Sequence, residues 1–326
     1  MKHRKEQTTR DITIDAIEQA AASIYDVVRR TPLVPVDFKV KAGNSRRIYL
    51  KLETLQPIGS FKIRGAYNAV RKLTPEQLRH GIWTVSAGNA AQGVALAAQY
   101  LGAECSVLVI DTAPDTKLEA IKKLGAKIVK ASYDECWESI ELHRSSRMSG
   151  CFVHPFDNDD FISGNGTIAL ELLEDLPNLK AVVASVGGGG LLSGIGAALR
   201  KLRPAALLYA AEPETAAPLA TSLAEGRASV FPNWQASFVD GAGGKSVLPT
   251  MWPLLSDFVT ESIVVSLEEI ITAMRDTARQ AHIIAEGAAA CAVAAALTDK
   301  VGDGPIVAVV SGGNIDLEAF TKLVKT

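Results

Sequence analysis

Aromatic residues are scarce in this chain of 326 residues, and neither sign of charge is in excess. Phenylalanine, tryptophan and tyrosine make up only 6% of the chain, so alanine, valine, leucine and isoleucine must build the core. Lysine and arginine number 34 and aspartate and glutamate number 36, which gives a net charge of −2. Binding to nucleic acid through its phosphates needs a basic surface, so we expect no nucleic-acid partner.

Paired cysteine motifs and long apolar runs are absent as well. The chain has four cysteines, which are Cys105, Cys136, Cys151 and Cys291. They form no CxxC pair or zinc-finger spacing, so we expect small buried residues in a reducing compartment. The longest unbroken apolar stretch lies within residues 287–298 and is shorter than the ~20 residues of a membrane helix. No apolar signal-peptide segment follows the basic residues 2–5, so we expect a cytoplasmic protein with no membrane partner.

Short apolar runs alternate with helical patterns along the chain. Residues 83–85 are a predicted strand, followed by an alanine-rich helix over residues 90–101 that Gly102 is predicted to end. Residues 181–186 are apolar except for Ser185, which is typical of a parallel strand buried on both faces. The alternation predicts an α/β protein with parallel sheets.

A polar, loop-like stretch interrupts this alternation at residues 150–164. The next helix is predicted only after it, over residues 166–174. We therefore interpret the stretch as a candidate domain junction.

A run of four glycines follows the apolar strand at residues 181–186. The run is Gly187, Gly188, Gly189 and Gly190, with Leu191 behind it. Glycines leave backbone N–H groups uncovered, and the N-terminus of the following helix adds a partial positive charge. A tight turn alone needs fewer glycines, so the run favours an anion site. It matches neither a dinucleotide fingerprint nor a P-loop, so the expected anion is the phosphate of another cofactor.

Three further motifs have two interpretations each when taken alone. Lys62 follows Ser60 and Phe61 in an apolar setting, where desolvation would make its amine a nucleophile, but it could equally be a surface lysine at a helix start. Residues 86–89 and 311–314 each place a serine before glycine and asparagine. Such turns can hold a carboxylate, or they can be helix caps and loops.

In this order, the four motifs resemble those of fold type II, or tryptophan-synthase β-type, pyridoxal-phosphate enzymes. The resemblance is strongest to the threonine/serine dehydratase and serine racemase branch, and it runs from about residue 31 to residue 317. It implies a two-domain α/β fold with parallel-rich twisted sheets flanked by helices. The large domain would comprise residues 1–52 and 156–326, and the small inserted domain residues 53–155. Family members are commonly dimers, so a homodimer is expected.

The resemblance also implies pyridoxal 5'-phosphate as cofactor and assigns residues to it. Lys62 would hold the cofactor as a Schiff base, and residues 187–191 would cradle its phosphate. The ring would be contacted by Phe61, by Asn89 at the phenolic oxygen, by Ser311 at the nitrogen and by Glu286.

The implied substrate is a small amino acid with a 3-hydroxyl group. Its carboxylate would lie on the turn formed by Ser86, Ala87, Gly88, Asn89 and Ala90. Lys62, once displaced, would remove the Cα proton, and loss of water would lead to a 2-oxo acid and ammonia.

Other reactions of this kind of enzyme stay open as alternatives. Serine racemases have a second serine at the position of Ala87, and alanine cannot carry a proton, so elimination is favoured over racemisation. A β-replacement synthase would have a Thr-Ser-Gly-Asn turn, which residues 86–89 do not match. A non-catalytic small-molecule-binding protein is a further alternative, against which the retained Lys62 argues.

Departures from the family pattern bear on the substrate and on metals. Ala90 replaces a usual histidine, and Trp137 stands where relatives acting on hydroxyaspartate carry arginine, so a bulkier apolar substrate such as phenylserine is as well supported as threonine or serine. Asp240 resembles an aspartate of the family's pocket wall. Glu212 matches a metal-binding glutamate, but its partner position falls near Pro218, so no metal is expected and Glu212 is a weak candidate. The chain ends soon after residue 316, so no C-terminal regulatory domain is expected.

Overall fold

The computed structural model describes residues 10–38 and 47–325, and the basic residues 2–5 lie outside that part of the chain. The strands are β1 (Leu33–Val36), β2 (Arg47–Leu52), β3 (Ile82–Val85), β4 (Cys105–Ile110), β5 (Lys127–Ala131), β6 (Cys151–Phe152), β7 (Ala181–Ser185), β8 (Leu207–Pro213), β9 (Glu261–Val265) and β10 (Pro305–Val310). The helices are α1 (Ile14–Ile24), α2 (Lys62–Arg71), α3 (Pro75–Arg79), α4 (Asn89–Leu101), α5 (Asp115–Lys123), α6 (Tyr133–Leu142), α7 (Asp159–Asp175), α8 (Gly190–Leu202), α9 (Pro218–Glu225), α10 (Trp252–Phe258), α11 (Leu267–Gln280), α12 (Gly287–Leu297) and α13 (Leu317–Val324). Short 3-10 turns cover Glu53–Leu55, Asp240–Ala242 and Asp299–Val301.

Two parallel-rich sheets organise the chain. The six-stranded sheet has the order β1-β2-β10-β7-β8-β9 and is parallel except for β1, which runs antiparallel to β2. The four-stranded sheet has the order β5-β4-β3-β6 and is entirely parallel. Its strands come between β2 and β7 along the chain, so the smaller sheet is an insertion. The predicted α/β class with parallel-rich sheets is confirmed, whereas the domain boundaries near residues 53 and 156 stay a prediction.

The core of the larger sheet is built from small apolar residues. Strand β7 is buried along its whole length, and β10 along all but its first residue. Helix α12 is buried from Gly287 through Ala296, and it packs across β7, β8, β9 and β10. Its alanines allow this close packing, which explains how a chain poor in aromatic residues fills its interior.

Helix α4 is formed as predicted and lies close to the start of α2. Gly102 ends α4 with a φ of 67°, in the left-handed region that favours glycine. At Gly93 an added Cβ would lie 3.1 Å from both the Ala66 Cβ atom and the Lys62 carbonyl oxygen. The glycine therefore lets α4 approach the first turn of α2, where Lys62 lies.

The interpretation of residues 150–164 as a loop is wrong in part. This stretch contains β6, and α7 already begins at Asp159 because the Asn158 side chain caps it by accepting the Phe161 amide at 2.8 Å. Glycine is a poor helix former, which is why the sequence pattern placed the start of α7 too late. Gly164 is needed inside the helix because a Cβ there would lie 2.3 Å from the Arg64 carbonyl oxygen.

None of the helices within residues 10–38 and 47–325 combines the length and the apolarity needed to cross a membrane.

Candidate active site

The predicted site motifs follow the carboxyl ends of neighbouring parallel strands. In the larger sheet, β2, β10 and β7 are adjacent, and they lead to Lys62, to residues 311–314 and to residues 187–190. Loops at the carboxyl ends of parallel strands share one edge of the sheet, where α/β proteins bind ligands. The fourth motif, residues 86–89, follows β3 in the smaller sheet.

Main-chain contacts fix the Lys62 segment to the loop after β10. The Phe61 amide donates to the Ser311 carbonyl oxygen at 2.9 Å, and the Gly313 amide donates to Gly59 at 2.9 Å. Between these bonds, Ser60 and Gly312 form an antiparallel bridge. Two motifs about 250 residues apart in sequence are thereby held side by side.

Lys62 is the first residue of α2, and its amine lies in a largely apolar environment. Its Nζ atom donates to the Pro155 carbonyl oxygen at 2.8 Å. The centroids of the Phe61 and Phe161 rings lie 5.3 Å and 5.5 Å from Nζ. Burial lowers the pKa of this amine to about 8, although the charge of the Glu286 carboxylate partly opposes that shift. A surface lysine would not have such an environment, so the geometry favours the nucleophile.

The tetraglycine loop packs so closely on its surroundings that a side chain at any of its four positions would collide with neighbouring protein atoms. Gly189 has a φ of 93°, and at Gly188 a Cβ would lie 2.1 Å from the Phe156 ring. None of the backbone amides of residues 187–190 donates to another atom in the described ranges. These free amides stand at the N-terminus of α8, whose buried Leu191 anchors the first turn. The arrangement suits a phosphate.

Asn89, Glu286 and Asn314 form a hydrogen-bonded group that joins the two sheets. The Asn89 amide donates to Glu286 Oε1 at 2.8 Å, and Asn89 Oδ1 accepts from Asn314 Nδ2 at 2.7 Å. Asn314 also donates to the Ile58 carbonyl oxygen at 2.7 Å. Burial, with the nearby Asp240 carboxylate, raises the pKa of Glu286 to about 7. The sequence motif contained Asn314 but gave it no role.

The turn after β3 exposes part of four of the five residues expected to hold the substrate carboxylate, namely residues 86–89. Ser86, Ala87 and Gly88 are half-buried, while Ala90 is buried at the start of α4. Ser86 Oγ accepts the Gly88 amide at 3.1 Å, so its own hydrogen stays free to donate.

Asp240 lies beside the glycine loop, whereas Trp137 contacts its own helix and the hydrophobic core. The Asp240 carboxylate forms an ion pair with Lys117 of α5, and the carbonyl oxygen of the next residue would lie 2.7 Å from a Cβ on Gly187. The Trp137 indole donates to Glu141 on the same helix at 2.9 Å, and its ring packs against the hydrophobic core. The expected role of Trp137 in substrate binding stays a prediction.

Glu212, the weak metal candidate, is fully engaged within the protein. Its carboxylate accepts the amides of Leu219 and Ala220 at 2.8 Å each and the Ser262 hydroxyl at 2.6 Å. Both oxygens therefore bind protein donors, most of them at the start of α9. A cation at Glu212 would have to displace these donors.

The residues present fit the pyridoxal phosphate that the sequence resemblance implies. A lysine amine with a lowered pKa, a row of free amides and the Asn89–Glu286 pair meet at one place in the fold. An amine can bind an aldehyde, and free amides can bind a phosphate. A Cβ atom at any of residues 187–190 would lie 2.8 Å or less from another protein atom, so glycine is needed at each position.

Comparisons with known proteins agree with this geometry. A sequence profile described as pyridoxal-phosphate dependent enzyme matches residues 24–312. The L-threonine ammonia-lyase of Thermotoga maritima is 38% identical over 318 residues, which cover 96% of this chain and 78% of the relative. The catabolic L-threonine dehydratase of Staphylococcus aureus is 36% identical over 325 residues, which cover 98% and 94%. The solved structure of maize serine racemase superposes with a TM-score of 0.87 at 33% identity, and the match covers 96% of each chain.

Proposed function

Because the chain belongs to the family of pyridoxal-phosphate dependent enzymes, we propose that it is a dehydratase acting on an L-3-hydroxy amino acid. The products would be a 2-oxo acid and ammonia. The observation that carries this proposal is the Lys62 amine, which lies between aromatic rings with a pKa lowered to about 8. The relatives named as threonine ammonia-lyase and threonine dehydratase, similar over nearly the whole chain, support the choice of reaction.

Each group of the site has a task in this reaction. The cofactor, when bound, supplies an electron sink for the negative charge that develops at the substrate Cα atom. The amides of residues 187–190 would bind its phosphate, and Lys62 would hold it. The Lys62 Nζ atom, when not bonded to the cofactor, would accept the Cα proton, because a pKa near 8 leaves part of the amine uncharged at neutral pH. Ser86 and the turn amides orient the substrate carboxylate.

Ala87 supports elimination over racemisation. Racemisation needs a second proton donor on the face of the substrate opposite Lys62, and the racemases of this branch use a serine at this position. Ala87 offers only a methyl group.

We propose two substrate types. One is threonine or serine, and the other is a bulkier amino acid such as phenylserine. The names of the relatives favour threonine. The small side chain of Ala90 leaves room for a bulkier substrate. The charge of Lys117 is neutralised by Asp240, which disfavours binding of a second substrate carboxylate. Hydroxyaspartate is therefore the substrate we expect to react least.

The deciding experiment uses the purified protein with four amino acids. We expect a yellow protein that absorbs at about 410–420 nm, a property of the lysine-bound cofactor. We expect 2-oxo acid to form from threonine, serine or phenylserine, and less from 3-hydroxyaspartate. A yellow protein that forms no 2-oxo acid from any of the four would contradict the dehydratase, and a colourless protein would contradict the cofactor assignment.

We also propose that the protein acts as a homodimer in the cytoplasm. The four cysteines are free thiols, three of them buried, as suits a reducing compartment. Sedimentation equilibrium of the holoenzyme would give twice the chain mass of 34.6 kDa, whereas a species of one chain mass would contradict the dimer.

A further inference from the structure

A tight turn between β6 and α7 contacts two parts of the site at once. Its Pro155 carbonyl oxygen accepts the hydrogen bond from Lys62 Nζ at 2.8 Å. Its next residue, Phe156, packs against the glycine loop, where a Cβ on Gly188 would lie 2.1 Å from the ring. A Cβ on Gly190 would lie 2.7 Å from the Phe156 carbonyl oxygen. The turn therefore lies between the amine and the phosphate cradle.

The imidazole of His154 holds this turn in shape. Its Nδ1 atom accepts the backbone amides of Phe156, at 3.3 Å, and of Asp157, at 2.8 Å. The ring is 2% exposed, and its centroid lies 4.6 Å from the centroids of both Phe156 and His143. These bonds bend the chain back on itself immediately beside Lys62.

Asp157 anchors the far end of the turn. Its carboxylate forms an ion pair with Arg10 and accepts the Thr250 hydroxyl at 2.6 Å. Because Asp157 is held from outside the turn, the His154 ring is the group that fixes the residues in between.

The hydrogen bonds of His154 determine where its proton lies. A nitrogen that accepts two amides cannot carry a proton, so the neutral ring carries it on Nε2. A proton on Nδ1 would point towards the two amide N–H groups that this atom accepts. Burial lowers the pKa of His154 to about 3, and nearby His143 and Lys62 lower it further, although the Asp157 carboxylate partly opposes the shift.

The same bonds exclude a metal ion at this place. Nε2 of His154 cannot bind a metal while it carries the proton, and Asp157 is already paired with Arg10.

We propose that His154 is a positioning residue for the lysine-bound cofactor. As a neutral acceptor on Nδ1, it fixes the Pro155 carbonyl against Lys62 and the Phe156 ring against the glycine loop. The proposal rests on the proposed function in one respect, because it requires the cofactor to be bound at Lys62.

Two substitutions at His154 distinguish the effect of its hydrogen bonds from the effect of its size. Asparagine offers an oxygen that can accept the same two amides, whereas leucine offers none. We expect H154N to bind pyridoxal phosphate within about threefold of the unaltered protein, and H154L to bind it at least about tenfold more weakly because two buried amides lose their acceptor. Cofactor release by dialysis and the visible absorption band measure the effect. Exposed His80, replaced by glutamine, is the control and should change neither.

A second measurement observes His154 directly in the unaltered holoenzyme, and H154N serves only to assign its resonance. In holoenzyme labelled with ¹⁵N-histidine, the resonance missing from H154N should show a proton on Nε2 and no titration between about pH 5.5 and 9. Titration in that range, or a proton on Nδ1, would overturn the proposal, and so would an H154L protein that keeps the cofactor as well as H154N does. An unaltered protein that binds no cofactor would instead overturn the proposed function.

Discussion

At the scale of single residues, the chemistry of the site depends on how the fold surrounds one amine. The sequence left Lys62 with two interpretations, a nucleophile or a surface lysine. The structure places it at the start of α2 between two aromatic rings, with a carbonyl oxygen as its hydrogen-bond acceptor. Desolvation, not a neighbouring positive charge, is therefore the main cause of its lowered pKa.

The first prediction concerns the pH at which Lys62 becomes reactive. Below its pKa of about 8 the amine is protonated and cannot attack an aldehyde, and above it the amine is neutral. The rate at which cofactor-free protein takes up pyridoxal phosphate should rise about tenfold per pH unit up to about pH 8 and then level off. Stopped-flow absorbance from pH 6 to 10 checks this. A rise that continues to pH 10 would indicate an ordinary lysine.

The second prediction concerns the missing proton donor at Ala87. A87S places a hydroxyl on the half-buried turn after β3, which we expect to face the substrate from the side opposite Lys62. We expect exchange of the Cα proton with inversion of serine to become measurable, while elimination continues. Chiral chromatography of unreacted serine measures it, with the unaltered protein as control. No gain in D-serine would weaken the argument from this residue.

At the scale of elements, steric fit at the start of α8 decides which residues the glycine loop accepts. The third prediction is that G188A weakens cofactor binding about tenfold or more, because the new methyl group collides with the Phe156 ring. The F156A background removes that ring, so the same glycine substitution should cost less there. Fluorescence titration with pyridoxal phosphate measures all four proteins. Equal losses in both backgrounds would contradict the steric explanation.

Helix α7 shows why sequence patterns failed for one element. Its first half contains two glycines, Gly164 and Gly166, and the sequence pattern assigned the first of them to a loop and began the helix only at the second. Both are required because α2 on one side and α1 and α8 on the other approach too closely for a side chain. That requirement comes from residues distant in sequence, so no local window could reveal it.

At the scale of the whole molecule, buried charges join α2 to β2 and α7. The Arg64 guanidinium binds Glu53 at 2.8 Å and Glu171 at 2.7 Å, and Lys51 forms an ion pair with Glu171. All four side chains are at most 1% exposed. The cluster has no net charge, so removal of any one of the four side chains would leave an unbalanced charge in the interior.

The fourth prediction follows from that balance. R64M leaves two buried carboxylates with too few donors and should lower the free energy of unfolding by about 3–5 kcal/mol. R30M removes a guanidinium that pairs with Glu174 and Asp175 at the surface, and it should cost about 1 kcal/mol or less. Urea unfolding of the two variants measures the contrast. Similar losses would show that the buried cluster contributes no more than a surface pair.

The sequence by itself determined the α/β class, the order of the four motifs and the family to which they point. Buried strands, glycine loops and helix caps are visible locally because each reflects the backbone or burial needs of its own residues. Only the tertiary structure decided which groups meet: the Asn89 bond to Asn314 spans 225 positions, and that of Lys62 to Pro155 spans 93. These contacts arise from the pairing of strands in two sheets, which no local pattern encodes.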